Sequence, residues 1–320
     1  MSENTTSEKP RITAIAPWFG SKRTMAPRIA RECCRADGRA PKSFWELCCG
    51  SMAVSLAMPR CSHHHVVDKH PDLMNLARVI QDPHQGPRFY RQLRRILSHE
   101  RLFREAKAAI EGDDLRAALE LGNLFSNGNE QLRAIDPFER AILYFIVSWQ
   151  GRNGVAGTER VNYQQALRWT SGGGHGGIRF SGAVESIPQW RRRMRSITLL
   201  ERDVFDVLHR IEDQDGTSIY IDPPYLRGGA RSGSCTYLHE FTSADHERLA
   251  SELKRFQKAR VVISYYEHDW LRELYLGWTF VECTTQKNLH VQNRRGVGRC
   301  DAPEVLIING ISYTEGSKEG

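Results

Sequence analysis

The chain has 320 residues, of which 40% are hydrophobic and 26% are charged, a balance typical of a soluble globular protein with one large core. Its formal net charge of +7 favours a polyanionic partner, with nucleic acid as the first candidate and acidic lipid as the second. No apolar run approaches the roughly 20 residues needed to cross a bilayer, and the N-terminal MSENTTSEKP has neither the basic start nor the apolar stretch of a signal peptide. We therefore expect a cytoplasmic protein without a membrane segment.

Short apolar runs predict seven β-strands, and most of them are separated by segments with helical periodicity. The runs lie at 43–49, 64–68, 197–203, 218–222, 259–266, 278–285 and 304–310. The alternation predicts a parallel sheet with helices on both faces, while the last two strands, joined without a helix, predict an antiparallel edge pair. The expected fold class is therefore α/β, with a doubly wound, mostly parallel, Rossmann-like sheet of seven strands.

An insertion separates the second predicted strand from the third. The gap of about a hundred residues is far longer than an ordinary connection. Apolar residues recur there at spacings of three and four, and Asp136-Pro137 is a helix start signal before a strongly apolar stretch. The insert is therefore expected to be a mainly helical domain. The predicted boundaries are 11–87 and 197–312 for the sheet domain, 88–196 for the insert, and 1–10 and 313–320 for disordered tails.

The eight cysteines and a run of three histidines raise the question of a metal site. No two cysteines form a Cys-x-x-Cys pair. Adjacent side chains of an extended segment point to opposite sides, so His63, His64 and His65 cannot all reach one ion. We expect reduced thiols, most of them buried, and no metal.

Carboxylates recur at the predicted carboxyl edge of the sheet. Glu46 lies in the first strand, and Asp68, Asp203 and Asp222 end the second, third and fourth. Ligands of such sheets bind at this edge, where an acid after the second strand can accept hydrogen bonds from a ribose. The chain has neither a three-glycine dinucleotide fingerprint nor a phosphate-binding lysine loop. These features favour a cofactor with adenosine but without phosphates, and S-adenosylmethionine is such a molecule.

Several segments together carry a family resemblance. They are PWFGSKRTMAPRI at 17–29, FWELCCGSMAVSLAM at 44–58, VVDKHPDLMNLARVIQDP at 66–83 and YIDPPY at 220–225. They resemble the cofactor and catalytic motifs of the DNA adenine methylase (Dam) family, the N6-adenine DNA methyltransferases of the alpha arrangement. In that family the order is cofactor motif, inserted target-recognition domain and catalytic motif, as in this chain. YLHEFTSADHERLA and VVISYYEHDWL extend the similarity over most of the chain outside the insert.

The resemblance implies methyl transfer from S-adenosylmethionine to the N6 amine of an adenine flipped out of duplex DNA. Its catalytic tetrad corresponds to Asp222, Pro223, Pro224 and Tyr225. The Asp222 carboxylate and the Pro223 carbonyl would accept the two amine protons, and the rigid prolines would fix the direction of that carbonyl. Tyr225 would stack on the flipped base, which offsets part of the cost of unstacking it.

The resemblance also implies contacts with the cofactor. The Trp18 indole would lie against the ligand, and Lys22, in the loop that contains Gly20, would face the ligand's carboxylate. The other expected contacts are Glu46 and Gly50 with the methionine part, Asp68 with the ribose, Asp203 and Val204 with the adenine ring, and Asp222. The family turn usually reads Pro-Phe-x-Gly-x-Gly, whereas this chain has Met52 at the second glycine.

Basic segments at 150–157, 189–195 and 286–299 are candidates for phosphate contacts with double-stranded DNA. The expected DNA-binding residues are Arg152, Asn153, Arg191, Arg192, Arg193, Arg294 and Arg295. The segment 151–157 resembles the loop that precedes the base-reading part of the insert in the family. We expect a monomer or a weak dimer.

Other interpretations keep part of this scheme. The acceptor could be the N4 amine of cytosine or an adenine in RNA, although cytosine enzymes more often have serine in place of Asp222. A catalytically inactive nucleic-acid-binding homologue is a further alternative. The intact tetrad argues against it, while Met52 argues weakly for it.

Overall fold

The computed structural model describes residues 12–18, 20–112, 135–151, 164–167, 176–225, 241–283 and 304–314. The strands are β1 Ser43–Leu47, β2 His63–Asp68, β3 Ile197–Glu201, β4 Thr217–Ile221, β5 Arg260–Tyr266, β6 Thr279–Cys283 and β7 Glu304–Ile308. They form one seven-stranded sheet in the order β3-β2-β1-β4-β5-β7-β6. All the predicted strands are therefore confirmed, with small differences at their ends.

The sheet is mostly parallel. Strands β3, β2, β1, β4 and β5 run in the same direction, whereas β7 lies antiparallel between β5 and β6. Strands of a parallel sheet are covered on both faces and tend to be continuously apolar. The central strand β4, with the sequence TSIYI, is buried at every position. The predicted fold class and the antiparallel pair at the end of the chain are thus confirmed.

Ten helices lie in the described part of the chain. They are α1 Ala26–Cys33, α2 Ala53–Ala57, α3 Pro71–Gln81, α4 Gln85–Leu93, α5 Glu100–Glu111, α6 Pro137–Gln150, α7 Gly176–Met194, α8 Val204–Leu208, α9 Ser243–Lys254 and α10 Asp269–Leu274. Local sequence explains several of their starts. Asp136 accepts a hydrogen bond from Phe138 N at 2.7 Å and so caps α6, which begins with a proline. Thr242 and Asp245 form a capping box at the start of α9.

Helices cover both faces of the sheet. On one face, Val66 packs in a core with α3 to α7, and Phe44 packs in a second core with α1 and α2. On the other face, Leu47 and Val67 pack in a core with α8, α9 and α10. Neighbouring residues of a strand contribute to opposite cores because strand side chains alternate. The described residues from β2 to β3 are mainly helical, and the domain boundaries remain a prediction.

The parallel strands give the sheet two unlike edges. The carboxyl edge contains the residues that follow the strands, including Asp68, Asp203 and Asp222. The amino edge contains the residues that precede them, including the end of α7, because Met194 lies just before β3. Strands of five residues at about 3.3 Å per residue separate the edges by roughly 17 Å. Ligands of such sheets bind at the carboxyl edge.

Candidate active site

Asp222 lies at the carboxyl edge, directly after β4. Three donors bind the same oxygen of its carboxylate: Oδ1 is 2.9 Å from Lys22 Nζ, 2.8 Å from Ser264 Oγ and 2.9 Å from Tyr225 Oη. Among the described residues, no hydrogen bond reaches Oδ2. The side chain is 22% exposed. Asp222 therefore has one oxygen fixed by the protein and one available as an acceptor.

Lys22 binds this carboxylate and is itself buried. Its side chain is only 4% exposed, and its ammonium donates to Gly20 O at 2.8 Å as well as to Asp222. Glu304 Oε1 is 4.0 Å away, so two carboxylates surround the buried cation. The resemblance implied that Lys22 faces a cofactor carboxylate. The structure pairs it with Asp222, and its contact with a cofactor remains a prediction.

The rest of the catalytic tetrad lies beside a group of tyrosines. Pro223 is buried and Pro224 is half-buried. The Tyr225 ring centroid is 4.6 Å from that of Tyr266 and 5.8 Å from that of Tyr265. Burial, followed by the charge of Asp222, raises the pKa of the Tyr225 hydroxyl well above its usual value. Tyr225 therefore remains a protonated donor to Asp222 at neutral pH.

The turn after β1 is tied to the turn after β2 by one carboxylate. Asp68 accepts a hydrogen bond from Gly50 N at Oδ2 and another from His70 N at Oδ1, both at 2.9 Å. Gly50 has a φ of +45°, and a Cβ atom there would lie 2.7 Å from the Trp18 ring. Only glycine fits this position, because any side chain would collide with Trp18. The structure thus brings Trp18, Gly50 and Asp68 together, and their contact with a cofactor remains a prediction.

Met52 stands at the second glycine of the family motif and adopts the backbone conformation that glycine favours. Its φ is +56°, in the left-handed region, and Cys48 in the same turn has a φ of +58°. This conformation costs a non-glycine residue about 1–2 kcal/mol. The Met52 side chain is fully buried in the core beneath the turn, and its burial offsets that cost. The departure from the motif therefore keeps a glycine-like turn.

Glu46 is buried under the same turn. Its Oε2 accepts a hydrogen bond from Ser55 N at 2.8 Å, and Ser55 Oγ lies 2.8 Å from His64 Nε2. The pKa of Glu46 is raised to about 8, mainly by burial and in smaller part by the charges of Asp222 and Asp68, while the hydrogen bonds from Ser55 oppose the shift. Glu46 is therefore mainly protonated at pH 7 in the absence of a cationic ligand.

A cleft of about 240 Å³, partly open to solvent, unites most of these groups. The predicted site residues that line it are Trp18, Lys22, Glu46, Gly50 and Asp222. Among the described residues that line the cleft, Lys22 is the only basic one, and its charge is paired with Asp222. The cleft therefore does not resemble a phosphate-binding site.

Asp203 and Val204 are not among the residues that line this cleft. Asp203 caps the short helix α8 by accepting from Phe205 N at 3.0 Å, and its other oxygen lies 3.3 Å from Lys69 Nζ. Val204 is buried in the core on that side of the sheet. Their contact with an adenine ring remains a prediction.

Ser264 and Glu304 are site residues that the sequence reasoning did not identify. Ser264 is fully buried in β5 and binds both Asp222 Oδ1 and the Tyr220 hydroxyl. A hydroxyl within an otherwise apolar or aromatic strand was the available signal, because a buried polar group needs a partner. The identity of that partner depends on strand pairing, which the sequence does not contain.

The predicted DNA-binding residues are only partly described. Arg152, Asn153, Arg294 and Arg295 lie outside the described residues. Gly151, where the described chain stops before Arg152, accepts a hydrogen bond from Arg179 Nη2 at 2.7 Å. The neighbouring Trp149 donates through Nε1 to Ile15 O at 3.2 Å, and Ile15 N donates to Ser51 O at 3.1 Å. This end of α6 is therefore linked to the turn after β1 at the carboxyl edge.

The basic cluster at the end of α7 lies elsewhere. Arg191, Arg192 and Arg193 occupy the last turn of α7, next to the amino edge. Arg193 Nη2 donates to the carbonyls of Met58 and Pro59, which precede β2. Burial lowers the pKa of Arg193 and Arg191. The structure thus does not bring this cluster to Asp222, and Arg193 binds carbonyls within the protein. Contact of the cluster with DNA remains a prediction.

The described ranges show neither a metal site nor a membrane-spanning helix. No group of three or more His, Cys, Asp or Glu residues in those ranges is arranged to bind a metal ion. In the same ranges no helix has both the length and the apolar character needed to span a membrane. His64 and His65 point to different surroundings, because His64 binds Ser55 while His65 stacks on Trp45 at 3.9 Å between ring centroids.

Comparison with known proteins agrees with this geometry. A family model described as D12 class N6 adenine-specific DNA methyltransferase matches residues 18–294, which is most of the chain. No curated protein matches the chain. The match confirms the resemblance seen in the motifs and favours adenine in DNA over cytosine or RNA as the acceptor. The chain therefore belongs to the D12 class of N6 adenine-specific DNA methyltransferases and is an adenine-specific DNA methyltransferase.

Proposed function

We propose that the enzyme transfers the methyl group of S-adenosylmethionine to the N6 amine of an adenine flipped out of duplex DNA. The observation that carries this proposal is the Asp222 carboxylate, which has Oδ1 bound by three donors. Its second oxygen is an acceptor beside the cleft. An adenine amine needs such an acceptor, because conjugation with the ring makes its nitrogen a poor nucleophile.

The cleft suits S-adenosylmethionine in its chemistry. Its lining contains Glu46 and Asp222 together with the Trp18 indole, and the one basic group of its described lining residues is already paired. Acidic and aromatic groups favour a sulfonium cation with an adenosine, and they disfavour phosphates. Trp18, Glu46, Gly50 and Asp68 would hold this cofactor. When bound, it would supply an electrophilic methyl group.

The protein's own groups would orient the amine. Asp222 Oδ2 and the Pro223 carbonyl would accept hydrogen bonds from its two N–H groups, so that the nitrogen lone pair points toward the methyl group. The Tyr225 ring, packed against Tyr266, provides an aromatic surface for the base. Because the amine is inaccessible inside a duplex, the nucleotide must rotate out of the helix, at a cost of a few kcal/mol.

Direct detection of the modified base tests this proposal. The wild-type chain and Asp222→Ala would be expressed in a host that lacks DNA methylation, and the host DNA would be sequenced with modified bases called directly. We expect N6-methyladenine at one recurrent sequence with the wild type and none with the variant. N4-methylcytosine, or unmodified DNA from the wild type, would contradict the proposal.

A purified assay tests the cofactor and the nucleic acid separately. Methyl transfer from labelled S-adenosylmethionine would be compared on duplex DNA, the corresponding single strand and an RNA of the same sequence. We expect the duplex to be the preferred acceptor. Preferential labelling of the RNA would show that RNA is the substrate, contrary to the proposal.

A further inference from the structure

The convergence of donors on Asp222 Oδ1 leaves open which of them determines the orientation of the carboxylate. We infer that Ser264 is a positioning residue for methyl transfer, which fixes the rotation of Asp222 so that Oδ2 faces the adenine amine. This inference rests on the proposed function. It concerns Ser264, which has no assigned role in the catalytic or cofactor motifs.

Strand pairing places Ser264 beside Asp222. Ile221 of β4 lies opposite Ile263 of β5, so the next residues along the two parallel strands are Asp222 and Ser264. Ser264 is fully buried, and its Oγ is 2.8 Å from Asp222 Oδ1. A donor on a central strand is held more rigidly than one on a loop. Ser264 can therefore define the carboxylate orientation before any substrate arrives.

Tyr220 sets the direction of the Ser264 hydroxyl. The Tyr220 Oη lies 2.9 Å from Ser264 Oγ, and both side chains are buried. Burial, followed by the Asp222 charge, raises the pKa of Tyr220 well above its usual value, so Tyr220 keeps its proton and donates. Ser264 then accepts from Tyr220 and directs its own proton to Asp222. The donor chain runs from Tyr220 through Ser264 to the catalytic carboxylate.

The other two donors are less suited to this role. Lys22 also binds the Gly20 carbonyl and lies near Glu304, so its ammonium is shared. Tyr225 belongs to the catalytic tetrad and must present its ring to the flipped base. Ser264 instead binds only Tyr220 and Asp222 among the hydrogen bonds of the described residues. Its contribution is therefore expected to be the most specific to carboxylate orientation.

Single-turnover methylation by Ser264→Ala tests this inference. We expect the methyl-transfer rate to fall about 10-fold, which corresponds to about 1.4 kcal/mol of barrier. Binding of S-adenosylmethionine by calorimetry and binding of DNA should remain within about twofold, a change below about 0.5 kcal/mol. Ser264→Thr keeps the hydroxyl and should recover most of the rate, while Tyr220→Phe should lose less than Ser264→Ala.

Ser218→Ala is the matched control. Ser218 is also a buried serine, on the neighbouring strand β4, and it makes no contact with Asp222. This variant should methylate at the wild-type rate. A wild-type rate in Ser264→Ala, an equal loss in Ser218→Ala, or a loss confined to ligand binding would overturn the inference. Absence of adenine methylation by the wild type would instead contradict the proposed function itself.

Asp222→Asn provides an independent test. An asparagine has one acceptor oxygen, and the donors at the Oδ1 position would attract it. The amide NH2 would then face the adenine amine, donor against donor. We expect this variant to be at least 100-fold slower than the wild type, about 2.7 kcal/mol of barrier, although it is isosteric with aspartate. A rate within about tenfold of the wild type, or 1.4 kcal/mol, would show that Oδ1 is not fixed as inferred.

Discussion

Two carboxylates at opposite edges of the sheet each accept several hydrogen bonds, but the donors are distributed differently over their oxygens. Asp222 at the carboxyl edge is 22% exposed and binds its donors through Oδ1 alone. Glu32, at the end of α1 near the amino edge, is fully buried. Its Oε1 accepts from Ser312 Oγ and Thr314 Oγ1, both at 2.6 Å, and its Oε2 lies 2.7 Å from Arg260 Nη2. The number of donors therefore does not distinguish the two carboxylates, whereas an oxygen without a donor among the described residues does.

The same contrast applies to the basic side chains of the two edges. Lys22 at the carboxyl edge pairs with a carboxylate whose Oδ2 accepts no hydrogen bond from the described part of the chain. Arg193 and Arg260 near the amino edge bind backbone carbonyls of other segments, namely those of Met58 and of Glu32. The arginines near the amino edge thus connect different segments of the fold, whereas Lys22 at the carboxyl edge binds the carboxylate of the candidate site.

The largest expected effect is on stability at the amino edge. Glu32→Ala removes the partner of Arg260 and should lower the free energy of unfolding by about 3–5 kcal/mol. Urea unfolding followed by circular dichroism would measure this loss. Glu32→Gln keeps the size and part of the hydrogen bonding, so a smaller loss is expected. If Glu32→Ala were as stable as the wild type, the inferred contrast between the two edges would be wrong.

The Glu32 contribution also has a defined pH dependence. Burial raises the pKa of Glu32, but hydrogen bonds from Ser312, Thr314 and Tyr313, together with the Arg260 charge, outweigh burial and leave it below the ordinary 4.5. A lowered pKa gives stability that is present above pH 4.5 and is lost as the pH falls through the folded value. The difference between the wild type and Glu32→Gln should therefore shrink in acid.

The next largest effect is on the chemistry at the carboxyl edge. Asp222→Ala should slow single-turnover methylation at least 100-fold, about 2.7 kcal/mol of barrier, because the amine loses an acceptor used during attack. Its stability loss should be smaller than that of Glu32→Ala, since Glu304 remains 4.0 Å from Lys22. Quenched-flow methylation of pre-bound DNA would measure the rate. A wild-type rate would exclude Asp222 from the reaction.

Asp68 tests the cofactor assignment at the same edge. Asp68→Ala should weaken S-adenosylmethionine binding by about 1–3 kcal/mol, because a charged acceptor for the ribose is lost. The link between Gly50 and His70 is lost with it. Calorimetry would give the affinity, and Asp37→Ala, in an exposed turn between α1 and β1, is the control. Unchanged affinity in Asp68→Ala would remove Asp68 from the cofactor site.

The raised pKa of Glu46 predicts that a proton is released when the cofactor binds. Its pKa of about 8 means that the carboxyl is mainly protonated at pH 7. A cation bound beside it favours ionisation, so binding of S-adenosylmethionine should release a proton, at most one per site. Calorimetry in two buffers with different ionisation enthalpies would measure the release. Glu46→Gln should abolish it, and an undiminished release would assign the proton to another group.

Glu46 also affects stability as a function of pH. Because its folded pKa is raised from 4.5 to about 8, the folded protein binds an extra proton between these values. The stabilisation is fully present below pH 4.5 and is lost as the pH rises through about 8. The Gln variant should show a flatter stability profile over this range.

The smallest expected effect is at the basic cluster of the amino edge. Arg192 and Arg195 are exposed there, and a duplex at the carboxyl edge would not reach them. Neutralising both to alanine should leave the salt dependence of DNA binding unchanged. A decrease of the log-log slope by about 0.9 for each arginine would show that DNA also contacts the amino edge.

Much of the fold follows from sequence because it depends on local patterns. Alternating strands and helices, together with acids at the strand ends, located Asp68 and Asp222 at one edge. The position of Arg192 could also have been deduced, because a cluster directly before a parallel strand belongs to the amino edge. The glycine-like backbone of Met52 and the pairings of Lys22 and Ser264 could not, because they depend on tertiary packing.

The network around Glu32 has a consequence for the order of folding. Its partners Ser312 and Thr314 lie 280 and 282 residues further along the chain. At a synthesis rate of about 5–20 residues per second, they emerge roughly 15–60 s after Glu32. During that time, the carboxylate at the end of α1 lacks these two donors. The N-terminal helix can therefore reach its final environment only after the last strand of the sheet has been made.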